Sequence, residues 1–170
     1  IRAGVHSIEH GTIMDGEVLA LMKKHGTYYV PTISAGMFVA EKAKQKGYYP
    51  QIIVPKALEI GPRLLNTFTT AYKFGIKIAF GTDSGVSYHG DNAKEFFYMV
   101  KGGMTEMEAI RSATVISSEM LGINDKLGSI ESGKLADIIA VKGNPIKDIS
   151  FLQEVVFVMK EGKIYKSTIH

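Results

Sequence analysis

The run "GIKIAFGTDSG" at positions 75–85 constrains the architecture of this chain more than any other feature. It is short, largely apolar and closed by glycine, the pattern of a strand buried on both faces of a parallel sheet. Two earlier segments fit the same construction. "VHSIE" (5–9) reads as a short strand after a turn at Gly4, and "TYYVPTISA" (27–35) is rich in β-branched and aromatic residues, with Pro31 expected at a strand end or bulge. Helices alternate with them. Asp15 is placed to cap "GEVLALMKKHG", whose Val18, Leu19 and Met22 fall at helical spacing before a stop at Gly26. The stretch 36–75 is helical around a turn-like "YYPQIIVP". "DNAKEFFYMVKGG" is a helix with Asp91 as its expected cap, and "TEMEAIRSATVISSEMLGI" opens on a capping box of Thr105 and Glu108. After Gly122 the pattern changes to short strands with glycine turns. The order β-α-β-α-α-β-α-α followed by a β-rich tail predicts an α/β unit with a small antiparallel appendage.

Composition narrows the function classes. With 45% hydrophobic and 22% charged residues in 170, the chain can bury a sizeable core. A net charge of +3 spread along the chain gives no basic, aromatic-interleaved face for nucleic acid. Without cysteine there is neither a disulfide framework nor a thiolate metal site, which suits a cytoplasmic protein. No apolar run approaches the ~20 residues that span a bilayer, and no leader pattern is visible, so no membrane partner is expected. The first residue is Ile1, and the chain reads as a piece of something longer.

In parallel α/β sheets the functional groups gather where strands end and the following loops open. Three strand ends carry candidates: "EHG" (9–11), "PTISAG" (31–36) and "GTDSG" (81–85). Imidazole and carboxylate both suit zinc, so His10 and Asp83 are the candidate metal ligands, and Asp83 can also accept a proton from water. A strand-end histidine also serves as an ordinary loop hydrogen-bonding group, and Asp-Ser-Gly is also a common turn. His6 and His25 read as structural. Glu9 is expected to face away from His10. His89 follows Asp83 in the same loop and could reach a substrate.

"GVHSIEHG", "GIKIAFGTDSG", "MTEMEAIRSATVISSEMLGINDKLGSIESGKLADIIAVKGNPIKDI" and "VMKEGKIYK" together resemble the C-terminal half of a metal-dependent amidohydrolase. The similarity is greatest to the branch holding Xaa-Pro dipeptidase (prolidase)-like and imidazolonepropionase-related enzymes. The resemblance implies the C-terminal part of a (β/α)8 TIM barrel, strands six to eight, over residues 1–124, and part of a small β-sandwich over 125–170. It places the sixth-strand histidine on His10, a metal ligand, and the eighth-strand aspartate on Asp83, both ligand and general base. Thr32, Tyr88 and His89 then help to shape the substrate pocket. One or two divalent ions, zinc by expectation, would serve a dipeptide or other small-molecule substrate. The family's first-strand His-x-His pair, fourth-strand lysine and fifth-strand histidine have no counterparts here. The chain alone is therefore expected to be inactive and to need the N-terminal half of the barrel as partner. Two alternatives are a deaminase or cyclic-amide hydrolase of the same superfamily, and a non-catalytic α/β module that completes its sheet with another chain, including a second copy of itself.

Overall fold

The computed structural model describes residues 1–168; His170 lies outside the described residues. Strands β1 (Ser7–Glu9) and β2 (Tyr28–Val30) pair in parallel, with Ser7 opposite Tyr28 and Glu9 opposite Val30. Residues 76–80 lie on the other side of β2. They are held by one parallel bridge between Tyr29 and Ile78, in which the Tyr29 amide donates to the Lys77 carbonyl (2.9 Å) and the Ala79 amide to the Tyr29 carbonyl (3.0 Å). This third segment stops short of a full strand because the next amide, Phe80, turns away and donates to the Ser112 carbonyl at 3.1 Å. Three parallel segments thus stand side by side in chain order.

Helix α1 (Gly16–His25) links the first two segments. Asp15 caps it, accepting from the Val18 amide at 2.9 Å, and left-handed Gly26 ends it. Helices α2 (Ile33–Ala43) and α3 (Val54–Phe74) link the second and third. They cross so closely that a Cβ on Gly61 would lie 2.8 Å from the Gly36 carbonyl oxygen and the Met37 Cα. Leu19, Met22, Tyr29, Ile33, Phe68, Ala71, Ile78 and Met99 form the core between sheet and helices. No helix among the described residues is long and apolar enough to cross a membrane.

Three local expectations need correction. The strand expected within 27–35 covers only Tyr28–Val30: Pro31, expected at a strand end, follows it directly and offers no amide to a ladder, and Thr32 then turns left-handed. Asp91 does not cap α4 (Lys94–Lys101); its carboxylate pairs with the Lys94 ammonium at 2.8 Å, and Ala93 holds the cap position. The helix expected from Thr105 begins with the predicted capping box in α5 (Glu106–Arg111), but passes through a π-helical stretch (Ser112–Ile116) before α6 (Ser117–Met120). The Ser112 carbonyl, bonded to the Phe80 amide and to the Ser117 hydroxyl (2.7 Å), is drawn out of the α ladder there.

The tail forms a separate antiparallel sheet, β3 (Ile138–Val141), β4 (Val155–Lys160) and β5 (Lys163–Ser167), as the glycine-punctuated sequence implies. Left-handed Glu161 and Gly162 form the β4–β5 turn, the geometry that matches strand twist in a tight hairpin. A 3-10 turn (Ile149–Gln153) rests against α4 and joins this sheet to the helical layer.

Candidate active site

The ends of the three parallel segments share one unusual backbone feature. His10, Thr32 and Asp83 all have left-handed conformations, with φ of 63°, 51° and 51°. A residue with a side chain pays about 1–3 kcal/mol to sit there, and such strain concentrates at functional sites. The other non-glycine residue of this kind among those described, Glu161, lies in the hairpin turn.

His10 is fixed from several directions. Its amide donates to the Val30 carbonyl at 2.9 Å, extending the β1–β2 ladder by one residue. Its carbonyl accepts from the Tyr29 hydroxyl at 2.8 Å. Burial, and then the negative charge of Glu95, push the Tyr29 hydroxyl well above its ordinary pKa, so it remains a protonated donor. The imidazole Nδ1 lies 2.7 Å from Thr32 Oγ1. With Nδ1 protonated and donating to Thr32, the lone pair of Nε2 is left for a metal or substrate, and the ring itself is exposed. Gly11 completes this turn. A Cβ there would sit 2.8 Å from the Tyr29 ring and from Met14 Cε, so only glycine allows the chain to leave His10 in this direction.

Thr32 is buried, with its hydroxyl on His10. The helix that starts after it is capped from a distance. Glu95 of α4 accepts from the Ile33 amide through Oε1 (2.8 Å) and from the Ser34 amide through Oε2 (2.7 Å), and is completely buried. Burial pushes its carboxyl above the ordinary value of 4.5, against the downward pull of the hydrogen bonds from Ser34 and Ile33.

Asp83 is exposed two residues beyond Gly81, which lies against the end of β2: a Cβ on Gly81 would run into Val30 Cγ1 and come within 3.9 Å of Thr32 Cγ2. The third segment end is thereby seated beside Thr32. The loop that follows is braced by Thr82, whose hydroxyl meets Ser84 Oγ at 3.2 Å and receives the Asn92 amide group at 3.4 Å. Tyr88 is exposed; its ring meets Phe38 edge-on at 5.3 Å, with the Lys42 ammonium 5.5 Å from its centre. His89 is exposed next to it. Glu9 is also exposed and accepts from the Ser7 hydroxyl, while His6 and His25 are exposed outside this set.

The donor set suits part of a divalent-metal site. An imidazole nitrogen and a carboxylate stand on the same strand-end face, while among the described residues no group of three or more His, Asp or Glu side chains could hold an ion. Sequence reasoning missed Glu95, which reads locally as an ordinary first-turn acid of α4, and the Thr32–His10 contact, which joins residues 22 apart.

The amidohydrolase family model matches residues 1–165. This chain belongs to the amidohydrolase family. Members of the family generally use divalent metals. The amidohydrolase chain is 37% identical to ochratoxinase from Aspergillus niger over 172 residues, covering 98% of this chain and 35% of that protein. A crystal structure of a Xaa-Pro dipeptidase with bound methionine in the active site superposes with a TM-score of 0.94 at 61% identity, covering 98% of this chain and 41% of the other. A prolidase complexed with N-methylphosphonate-L-proline superposes with a TM-score of 0.86 at 29% identity, with coverage of 98% and 41%. The chain therefore spans about two fifths or less of the length of these relatives.

Proposed function

We propose that this chain is the C-terminal portion of a metal-dependent amidohydrolase that cleaves the C–N bond of a dipeptide, with the specificity type of an Xaa-Pro dipeptidase. One observation carries the reading: three successive parallel segments are each followed within three residues by a left-handed residue, and these are His10, Thr32 and Asp83. Strain repeated at one face of the sheet, on the side where such folds place their chemistry, fits a site better than three unrelated turns. The 61% identity to a Xaa-Pro dipeptidase supports the substrate class. In this reading β1, β2 and residues 76–80 are barrel strands six, seven and eight. Residues 1–124 belong to the barrel and 125–170 to the sandwich domain.

His10, through Nε2, and Asp83, through its carboxylate, would hold a divalent ion together with ligands from the rest of the parent protein; zinc suits both donors. A bound divalent ion supplies Lewis acidity at the amide carbonyl and makes water acidic enough to attack near neutral pH. Asp83 accepts a proton from the attacking water at a carboxylate oxygen and returns it to the leaving nitrogen as the C–N bond breaks. The Thr32 hydroxyl, 2.7 Å from Nδ1, holds the His10 ring so that Nε2 is left for the ion. Tyr88 and His89, both exposed on the loop after Asp83, would help to shape the substrate pocket.

The test is metal analysis and a dipeptide assay on the full-length protein that carries this chain. Bound divalent metal and hydrolysis of Xaa-Pro dipeptides are expected. Asp83→Ala should lower kcat by roughly 10²–10⁴-fold, the usual contribution of a positioned acid–base group. An Asp83→Ala protein with undiminished turnover would refute the assignment.

A further inference from the structure

Thr32 occupies the cap position of α2 and does not cap it. A threonine there ordinarily turns its hydroxyl inward to accept from an amide of the first helical turn. Here φ of 51° carries the side chain away, no side-chain cap bond forms, and the hydroxyl meets His10 Nδ1 instead. The amide of Ser34, which a capping threonine would take, is held instead by Glu95, 61 residues along the chain, and the same carboxylate also takes the neighbouring Ile33 amide. A buried carboxylate is a costly way to end a helix, since a surface serine or aspartate does so without desolvation. The arrangement is economical only if the threonine hydroxyl is needed elsewhere.

We propose that Glu95 is a positioning residue of the active site: by carrying the cap bonds of α2 it releases the Thr32 hydroxyl to fix the orientation of the His10 ring. The proposal rests on the reading of His10 as an active-site residue. Its geometry is a relay of short contacts, from Glu95 to the Ile33 and Ser34 amides, through the left-handed Thr32, to Nδ1. The ring is thereby tied to α4, the helix that follows the Asp83 loop, so the two ends of the site share one support.

The test follows the Nδ1–H proton of His10 by NMR in the zinc-loaded, full-length protein with ¹⁵N-labelled histidine, alongside exchange of the Ile33 and Ser34 amides. In the native protein this ring proton is expected to be protected and visible. Glu95→Gln offers an NH₂ where one backbone amide needs an acceptor. Exchange of that amide should accelerate roughly tenfold or more, as for a lost charge-assisted bond, and the His10 Nδ1–H signal should be lost. Thr32→Val should remove the same signal while leaving the Ile33 and Ser34 amides protected, and the double variant should add nothing at His10. Where Glu95→Gln does not fold, Glu95→Asp, which withdraws the carboxylate by one methylene, gives the same readout. A His10 signal that persists while that amide exchanges faster would reduce Glu95 to a helix cap and overturn the proposal. These signals do not depend on turnover, so a protein inactive on dipeptides that still shows this pattern would refute the substrate reading and leave the relay standing.

Discussion

At the scale of single residues, the site depends on groups that touch no substrate. Thr32 holds His10 by a bond between residues 22 apart, and partners that orient a metal-binding imidazole typically govern affinity by 10–100-fold, so Thr32→Val should weaken zinc binding by about that factor. Thr32→Ser, which keeps the hydroxyl, should restore most of it; competition titration with a chelating dye measures both. Glu95 brings a pH dependence of definite sign. Its carboxyl is raised above 4.5 in the folded protein by burial, so the folded state prefers the protonated form more than the unfolded chain does. The stability linked to this preference is complete below 4.5 and is lost as pH rises toward and through the folded value. Urea midpoints recorded from pH 4 upward should show this decline in the native protein, and Glu95→Gln, which cannot ionise, should lack it.

At the scale of elements, what the sequence reveals depends on how local the cause is. The cap at Asp15, the glycine stops at Gly26 and Gly75 and the capping box at Thr105 and Glu108 are written within four residues of where they act, and all are present. The start of α2 at Ile33 is not legible in "TYYVPTISA", because the groups that cap it come from α4 and β propensity alone favours continuing the strand. The π-helical stretch is hidden for a similar reason: it exists because Phe80, 32 positions before Ser112, claims the carbonyl that an α-helix would use. His10 and Asp83 stand at the strand ends where alternation and glycine placement put them, whereas Glu95 carries no local mark of its burial. Gly81 shows how tightly the elements are registered. Its hydrogen faces Val30 Cγ1, so Gly81→Ala must push the third segment away from β2. That overpacking should cost about 1–3 kcal/mol, read from the urea midpoint, and Val30→Ala in the same background should recover part of it by making room.

At the scale of the whole molecule, the chain leaves apolar surface that its own residues do not close. A cleft of about 590 Å³ runs between the helical layer and the tail sheet, lined by Phe96, Ile110, Leu121, Leu135 and Ile139 among others. Ile130 at its rim is 81% exposed and Leu121 63%. A contiguous apolar lining of this kind is uncommon on a protein that works alone and marks a surface that packs against something. The first sheet tells the same story: among the described residues β1 pairs with β2 alone, so its other edge offers free backbone groups. Both features follow if the rest of a longer amidohydrolase covers them, as the 41% coverage of the dipeptidase chain suggests. The isolated 170-residue chain should then bind an apolar dye such as ANS and self-associate in sedimentation velocity at micromolar concentration, while the full-length protein should show neither dye binding nor association through this face. Ile139→Lys places a charge in the cleft and should reduce both signals in the isolated chain. Because the same residue is covered in the complete protein under this reading, the substitution should destabilise that protein by burying an unpaired ammonium. An isolated chain that stays monomeric and dye-free, or a full-length protein indifferent to Ile139→Lys, would show that the cleft is ordinary solvent-facing surface.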